Sequence, residues 1–287
     1  MSYLEQIQRG IDFIEGRLEG PLELREVSRA AGMSHWHFQR MFKALTGETL
    51  MAYVRARRLS LSLDRLLRTD GRILDIALDA GFESQASFTR AFRQAFGITP
   101  GAYRRLGHGA RFLRKVRIDA DYLANLDRGP RRAPRIVARP EQVLTGQMTE
   151  LYGVDSHKNN LAEKLPQLWD TFLQVPFESI EGARYYGVIE QFSEREERLR
   201  YHAAVELPNG AKTDRPLSTV HVPAASYAIF EHHGYAADLD HTVNYIYSVW
   251  LMQSGHRHSG GPDLEIYDHR WHASSPHSVV EYAIPLS

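Results

Sequence analysis

The chain has 287 residues, 35 Lys/Arg, 35 Asp/Glu and no cysteine, a length that allows about two domains. Without cysteine there is no disulfide, thiol nucleophile, thiolate zinc site or iron–sulfur ligand set. The zero net charge hides an asymmetry. Residues 1–115 carry 19 Lys/Arg against 12 Asp/Glu, a net of +7, and residues 116–287 carry 16 against 23, a net of −7. One half suits a polyanionic partner and the other does not. No stretch approaches the roughly 20 apolar residues of a membrane span. Met1–Gln6 lacks a basic segment followed by an apolar one, so a cytoplasmic, non-membrane protein is expected.

In chain order, Leu4, Ile7, Ile11, Ile14 and Leu18 alternate three and four apart, one face of a packed helix that Gly20 and Pro21 stop. Residues 22–32 predict a second helix ending in a glycine turn. Ser34 then caps a third, closed by Gly47. In it Phe38, Met41, Phe42 and Leu45 form the apolar stripe. Trp36, Gln39, Arg40 and Lys43 repeat the spacing on another face. Arg and Gln can make bidentate hydrogen bonds to guanine and adenine edges. Lys takes phosphate, and Trp can pack on sugar or a thymine methyl. Helix, turn and capped helix make a helix-turn-helix.

The pattern recurs about fifty residues later. Phe38 matches Phe88, Arg40 matches Arg90, Phe42 matches Phe92, Lys43 matches Arg93, and Gly47 matches Gly97. Upstream the offset is forty-nine, with Gly32 matching Gly81, so the second turn holds one extra residue. A core repeat alone predicts stacked helices. Repetition of an outer-face Arg predicts two copies of one reading head. The second presents Gln85, Ser87, Thr89, Arg90 and Arg93, with Ala86 where the first has Trp36. Between the heads, residues 49–68 contain no Pro or Gly. Twenty helical residues span roughly 30 Å, against about 34 Å for one turn of B-DNA. One chain binding as a monomer could therefore hold two heads over successive major grooves of double-stranded DNA.

Residues 3–105 resemble the DNA-binding domain of AraC/XylS-family transcription regulators. The resemblance rests on Ala31-Gly32, Trp36, Phe38 to Phe42, Gly47, Tyr53, Gly81-Phe82, Phe88, Arg90, Phe92, Gly97, Pro100 and Tyr103. The run from Ser34 to Lys43 is similar to the MarA/SoxS/Rob branch. That resemblance implies that Trp36, Gln39, Arg40, Gln85, Ser87, Thr89 and Arg90 face DNA. It also implies an activator working with RNA polymerase. Ala86 departs from the branch, which often has Gln there, so base preference should differ at that point. Related heads in alkylation-repair proteins transfer the alkyl group to cysteine, which this chain lacks.

The expected layout is a DNA-binding domain over 1–110, a linker over 111–133 and a second domain over 134–287. From residue 135 the periodicity changes. Strands are predicted at 135–138 and 143–148, a helix at 161–173, and strands at 185–192 and 199–207. A strand at 218–232, a helix at 239–253 and strands at 264–271 and 278–285 follow. The predicted fold is an all-α domain of two helix-turn-helix units joined by a long helix. It is followed by an α+β domain of two strand-helix-strand-strand repeats. Tyr227 to Gly234, Tyr247 with Trp250 and Gly255, Pro262 with Glu265 and Tyr267, and Glu281 to Pro285 resemble the GyrI-like effector-binding fold.

In that fold a groove combines aromatic walls with a buried glutamate, chemistry that favours a small hydrophobic cation. The resemblance makes Glu265 the candidate carboxylate, with Glu281 second and Trp169, Tyr186, Trp250 and Tyr282 as candidate walls. The bland alternative has the rings as core and Glu265 at a solvated edge. The tail could otherwise be a small-molecule hydrolase or a protein-interaction domain. His232-His233, His256 with His258, and His269 with His272 lack a third ligand at metal spacing, so no metal or cofactor is expected. No phosphate loop and no Ser–His–acid set is evident, and no catalytic residue is assigned.

Overall fold

Polar caps set the helix ends of the first half in the computed structural model of the chain. The structure describes residues 2–107, 115–119, 122–123, 133–175, 183–191, 198–207, 217–272 and 275–287. They divide into two units, Met1–Asp119 and Ala120–Ser287.

The first unit contains α1 (Tyr3–Glu15), α2 (Leu24–Ala31), α3 (His35–Thr46), α4 (Leu50–Arg68), α5 (Ile73–Asp79), α6 (Gln85–Phe96) and α7 (Pro100–Leu106). Ser2 and Glu5 form a capping box on α1. Ser34 accepts from the amide of His37 and Ser84 from that of Ser87, so the two reading helices start alike. They also end alike, at Gly47 (φ 78°) and Gly97 (φ 74°). Phe38, Met41 and Phe42 of α3 and Ile7, Ile11 and Ile14 of α1 are all fully buried.

Gly10 lets α1 approach α3 closely, because a Cβ there would fall 2.3 Å from the Phe38 ring. Gly10→Ala should therefore lower stability by about 1–3 kcal/mol through overpacking. Set against the ~1 kcal/mol that alanine adds in helix propensity, the net loss is up to about 2 kcal/mol. Chemical denaturation of the two proteins measures the difference.

Glu15, Arg57 and Tyr53 clip α1 to α4. Arg57 donates through Nε and Nη2 to the two Glu15 oxygens at 2.8 and 2.9 Å, and Tyr53 donates to Oε1 at 2.7 Å. Residues 115–118 lie within the stretch expected as a linker, yet they pack here. Lys115 pairs with Asp12 at 2.6 Å, the Ile118 amide donates to Gln8 Oε1 at 3.0 Å, and the Ile118 side chain is buried. Residues 108–114, 120–121 and 124–132 of the expected joint and its approach lie outside the described residues.

The described part of the second unit is an antiparallel sheet with helical segments between its strands. Its elements are β1 (Arg135–Arg139), β2 (Gln142–Tyr152), α8 (Leu161–Leu173), β3 (Tyr185–Gln191), β4 (Arg198–Val205), β5 (Ser218–Val222) and β6 (Ala225–His233). Then come α9 (Leu239–Tyr245), a π-helical turn (Ile246–Trp250), α10 (Leu251–Gln253), β7 (Asp263–Tyr267) and β8 (Val279–Leu286). The strand order is β1-β6-β8-β7-β3-β4-β2-β5. Exchanging the first four strands with the last four and reversing the list returns the same order, so the duplication is real.

Two sequence expectations change. The strand predicted at 218–232 is two strands broken at Pro223 and Ala224, because proline has no amide for the ladder. Each repeat thus has two strands before its helix. The leading strands are exchanged, β1 pairing with β6 and β5 with β2, so the halves share one sheet. Leu144, Tyr186, Val188, Val220, Tyr227, Ile229, Leu264 and Ile266, all from strands, pack together as a core on one face. Aromatic contacts place α8 and the π turn on the other, where Trp169 meets Tyr201 and Trp250 meets Phe230. Among the described residues no helix is long and apolar enough to cross a membrane.

Candidate nucleic-acid interface and effector site

Helix α6 is held by Phe88 and Phe92, both fully buried, which turns the opposite face outward. Gln85, Arg90 and Arg93 are exposed, and Ser87 and Thr89 are half-buried. Gln85, Thr89, Arg90 and Arg93 line one open surface together with Ala86, Gln94 and Thr99. Ser87 donates to the Ser84 carbonyl at 2.8 Å, so its hydroxyl offers an acceptor rather than a donor. Sequence reasoning missed Gln94 and Thr99. Gln94 lies four residues after Arg90, the spacing that defines a shared helix face.

The first head differs. Trp36, Gln39 and Arg40 are 8%, 4% and 5% exposed, and Lys43 is half-buried. The outward face expected for α3 from the sequence is therefore not exposed in this structure.

In the second unit, β3 and β7 are neighbours and their register sets Glu265 opposite Gly187. A Cβ on Gly187 would fall 2.1 Å from the Tyr201 hydroxyl and 2.6 Å from Glu265 Oε2, so only glycine leaves room. Tyr201 of β4 and Tyr267 of β7 both donate to Glu265 Oε2, at 2.5 and 2.8 Å. Trp169 of α8 donates through Nε1 to the Tyr201 hydroxyl at 3.1 Å, and its ring meets Tyr267 edge-on at 5.2 Å. Burial, reinforced by the charge of Glu265, pushes both phenols well above the ordinary tyrosine range. They remain protonated donors to the Glu265 carboxyl. Glu265 is 9% exposed, while Trp169 and Tyr267 are half-buried. The result is a carboxyl group with rings around it.

Of the expected walls, Trp169 joins this nest by hydrogen bond and ring contact. Tyr186 precedes Gly187 on the strand and therefore points to the other face, where it joins the strand-only core and accepts from Arg139 at 3.2 Å. Trp250 packs on Phe230 and stacks on His256 at 5.8 Å. Tyr282 pairs with Glu265 in register, but its hydroxyl goes to Asp263 at 2.7 Å. Glu281 is taken by Arg135 and Arg270 at 2.6 and 2.9 Å. Tyr201 and Gly187 were missed. A glycine inside a predicted strand is the signal that could have found the close approach.

Asp263 forms a second, sealed nest on the same strand. It is fully buried, accepts from Tyr247 and Tyr282 at 2.7 Å each, and meets His258 Nε2 at 2.8 Å. His232 is likewise buried, between Thr242 and the Tyr235 carbonyl. Among the described residues no three His, Asp or Glu side chains are placed to hold a metal.

The comparisons agree with this division. A helix-turn-helix domain family matches residues 27–106, and a family of GyrI-like small molecule binding domains matches residues 134–287. The transcriptional regulator Rob of Salmonella typhimurium is 30% identical over 272 residues, covering 89% of this chain and 87% of its own length. The right origin-binding protein of Escherichia coli is 54% identical over 93 residues, 32% of each chain. The regulatory protein SoxS of Salmonella typhimurium is 42% identical over 104 residues, 36% of this chain and 97% of its own.

Proposed function

The chain belongs to the Rob-type family of DNA-binding transcription regulators, an AraC-type head followed by a GyrI-like domain, and on that premise we propose that its effector is a lipophilic cation held at Glu265. One observation carries this. A nearly buried carboxylate accepts two phenol hydrogen bonds and lies beside the faces and edges of Trp169, Tyr201 and Tyr267. Removing a cation from water is offset here by opposite charge and by ring quadrupoles, whereas a neutral compound gains only apolar contact. The tail then acts as a sensor and not as a hydrolase.

The head reads DNA as a monomer, α3 and α6 entering successive major grooves. Gln85 and Arg90 take base edges, with Ser87 and Thr89 beside them, and Gln39, Arg40 and Trp36 do so in the first head once uncovered. Lys43 and Arg93 take phosphates. The same premise makes the protein a cytoplasmic activator that meets RNA polymerase on the promoter.

Calorimetry of the full chain tests the effector. A quaternary ammonium carrying aromatic groups should bind one to one. Its isostere with carbon in place of nitrogen should bind weakly. Equal affinity for the two compounds would leave Glu265 without a role, and turnover of either would make the tail an enzyme.

A further inference from the structure

We infer that Arg58 and Arg65 of α4 fix the distance and angle between the two reading heads, an inference that rests on both heads engaging one duplex. The halves of the first unit have separate cores strung on this one helix. Near its start Tyr53 packs on Phe42 of α3, at 5.4 Å between ring centres, and bonds Glu15 of α1. Farther along, Leu59, Leu63 and Leu66 join Ile76, Phe88, Phe92 and Tyr103. A helix with a core at each end is stiff along its axis. It does not by itself stop either head from rocking about it.

The two arginines supply what the rod lacks. They lie seven residues apart, two helical turns, and so on one face of α4. Arg58 Nε donates to the Leu18 carbonyl at 3.0 Å and Nη2 to the Gly20 carbonyl at 2.5 Å, in the turn leaving α1. Its Nη1 lies against Gly81, the turn of the second head, where a Cβ would be only 2.2 Å away. Arg65 does the same one step on. Its Nη2 meets Glu19 at 3.1 Å and its Nη1 meets Asp79 at 2.6 Å.

Each guanidinium therefore touches residues 18–20 of the first half and 79–81 of the second at once. A planar fork of donors holds an angle, which the point charge of a lysine does not. Gly81 contributes by absence. Its φ of 75° and the missing Cβ let the turn close onto Arg58.

The test uses the full chain and an operator it has selected from random duplexes, with one base pair inserted between the two contacted grooves. The insertion moves the half-sites by about 3.4 Å and turns them by about 34°. A clamped wild type should lose about tenfold or more in affinity, the loss expected when one head's base contacts are misplaced. In Arg58→Lys and Arg65→Gln that penalty should shrink to about threefold, with base preference within each half-site unchanged. A general loss of stability would weaken both operators equally and leave their ratio alone.

Variants with native circular dichroism and an undiminished spacing penalty would overturn the clamp. Should Arg58→Lys fail to fold, Arg65→Gln, which alters a solvent-facing ion pair, decides the question in the same way. A wild type indifferent to the insertion would defeat simultaneous reading by two heads, and the clamp with it.

Discussion

Arg90→Ala should lower affinity for the selected operator by about 5- to 150-fold, the equivalent of ~1–3 kcal/mol for a bidentate contact to guanine. The loss should fall on one base position, whose preference flattens. The structure favours Arg90 for this role because α6 buries Phe88 and Phe92 and leaves Arg90 exposed among Gln85, Thr89 and Gln94. Arg93, one turn farther along the helix, is the control. If it holds a phosphate, Arg93→Ala weakens all sequences alike and reduces the slope of log affinity against log salt by about 0.9. Competition binding against a set of single-base operator variants, run at several salt concentrations, separates the two. Unchanged selectivity after Arg90→Ala would remove it from the readers.

Glu265→Gln should weaken a permanent cation by about 5- to 150-fold, matching ~1–3 kcal/mol for a charge-assisted contact, and leave the neutral isostere almost unaffected. The substitution keeps the shape of the side chain above Gly187. It also keeps an oxygen to accept from Tyr201 or Tyr267, so it isolates charge from packing. Trp169→Phe is the complementary change, because it removes the donor to Tyr201 while keeping a ring in place. If both ligands weaken together in Glu265→Gln, the nest is a packing feature and the cation preference lies elsewhere.

The parts of this protein legible in the sequence are those governed by local periodicity. The reading helices α3 and α6, the Ser34 cap, the stops at Gly47 and Gly97 and the fifty-residue repeat follow from spacing within one element or two. Glu265 was legible through its short motif. Its partners were not, because Tyr201 reaches it across β3 from β4, and that adjacency is a property of the sheet order.

The same limit explains Tyr186 and Trp250. Aromatic composition identified them, but strand alternation sends Tyr186 to the opposite face, and Trp250 is held by Phe230. The exchange of β1 and β5 between the repeats is also invisible to periodicity, since a strand's pattern does not name its partner. On α3 the sequence marked an outward face, and the burial of Arg40 at 5% exposure could not be read from spacing.

On the function proposed above, one chain carries two reading heads for one duplex. Helix α4, 19 residues long, spans roughly 29 Å, close to a turn of B-DNA at about 34 Å. Hydroxyl-radical footprinting at a measured stoichiometry tests this most directly. The expected result is one chain per duplex protecting two segments about one helical turn apart, on one face, in an asymmetric site. Two chains protecting an inverted repeat, with one head in each half-site, would contradict it.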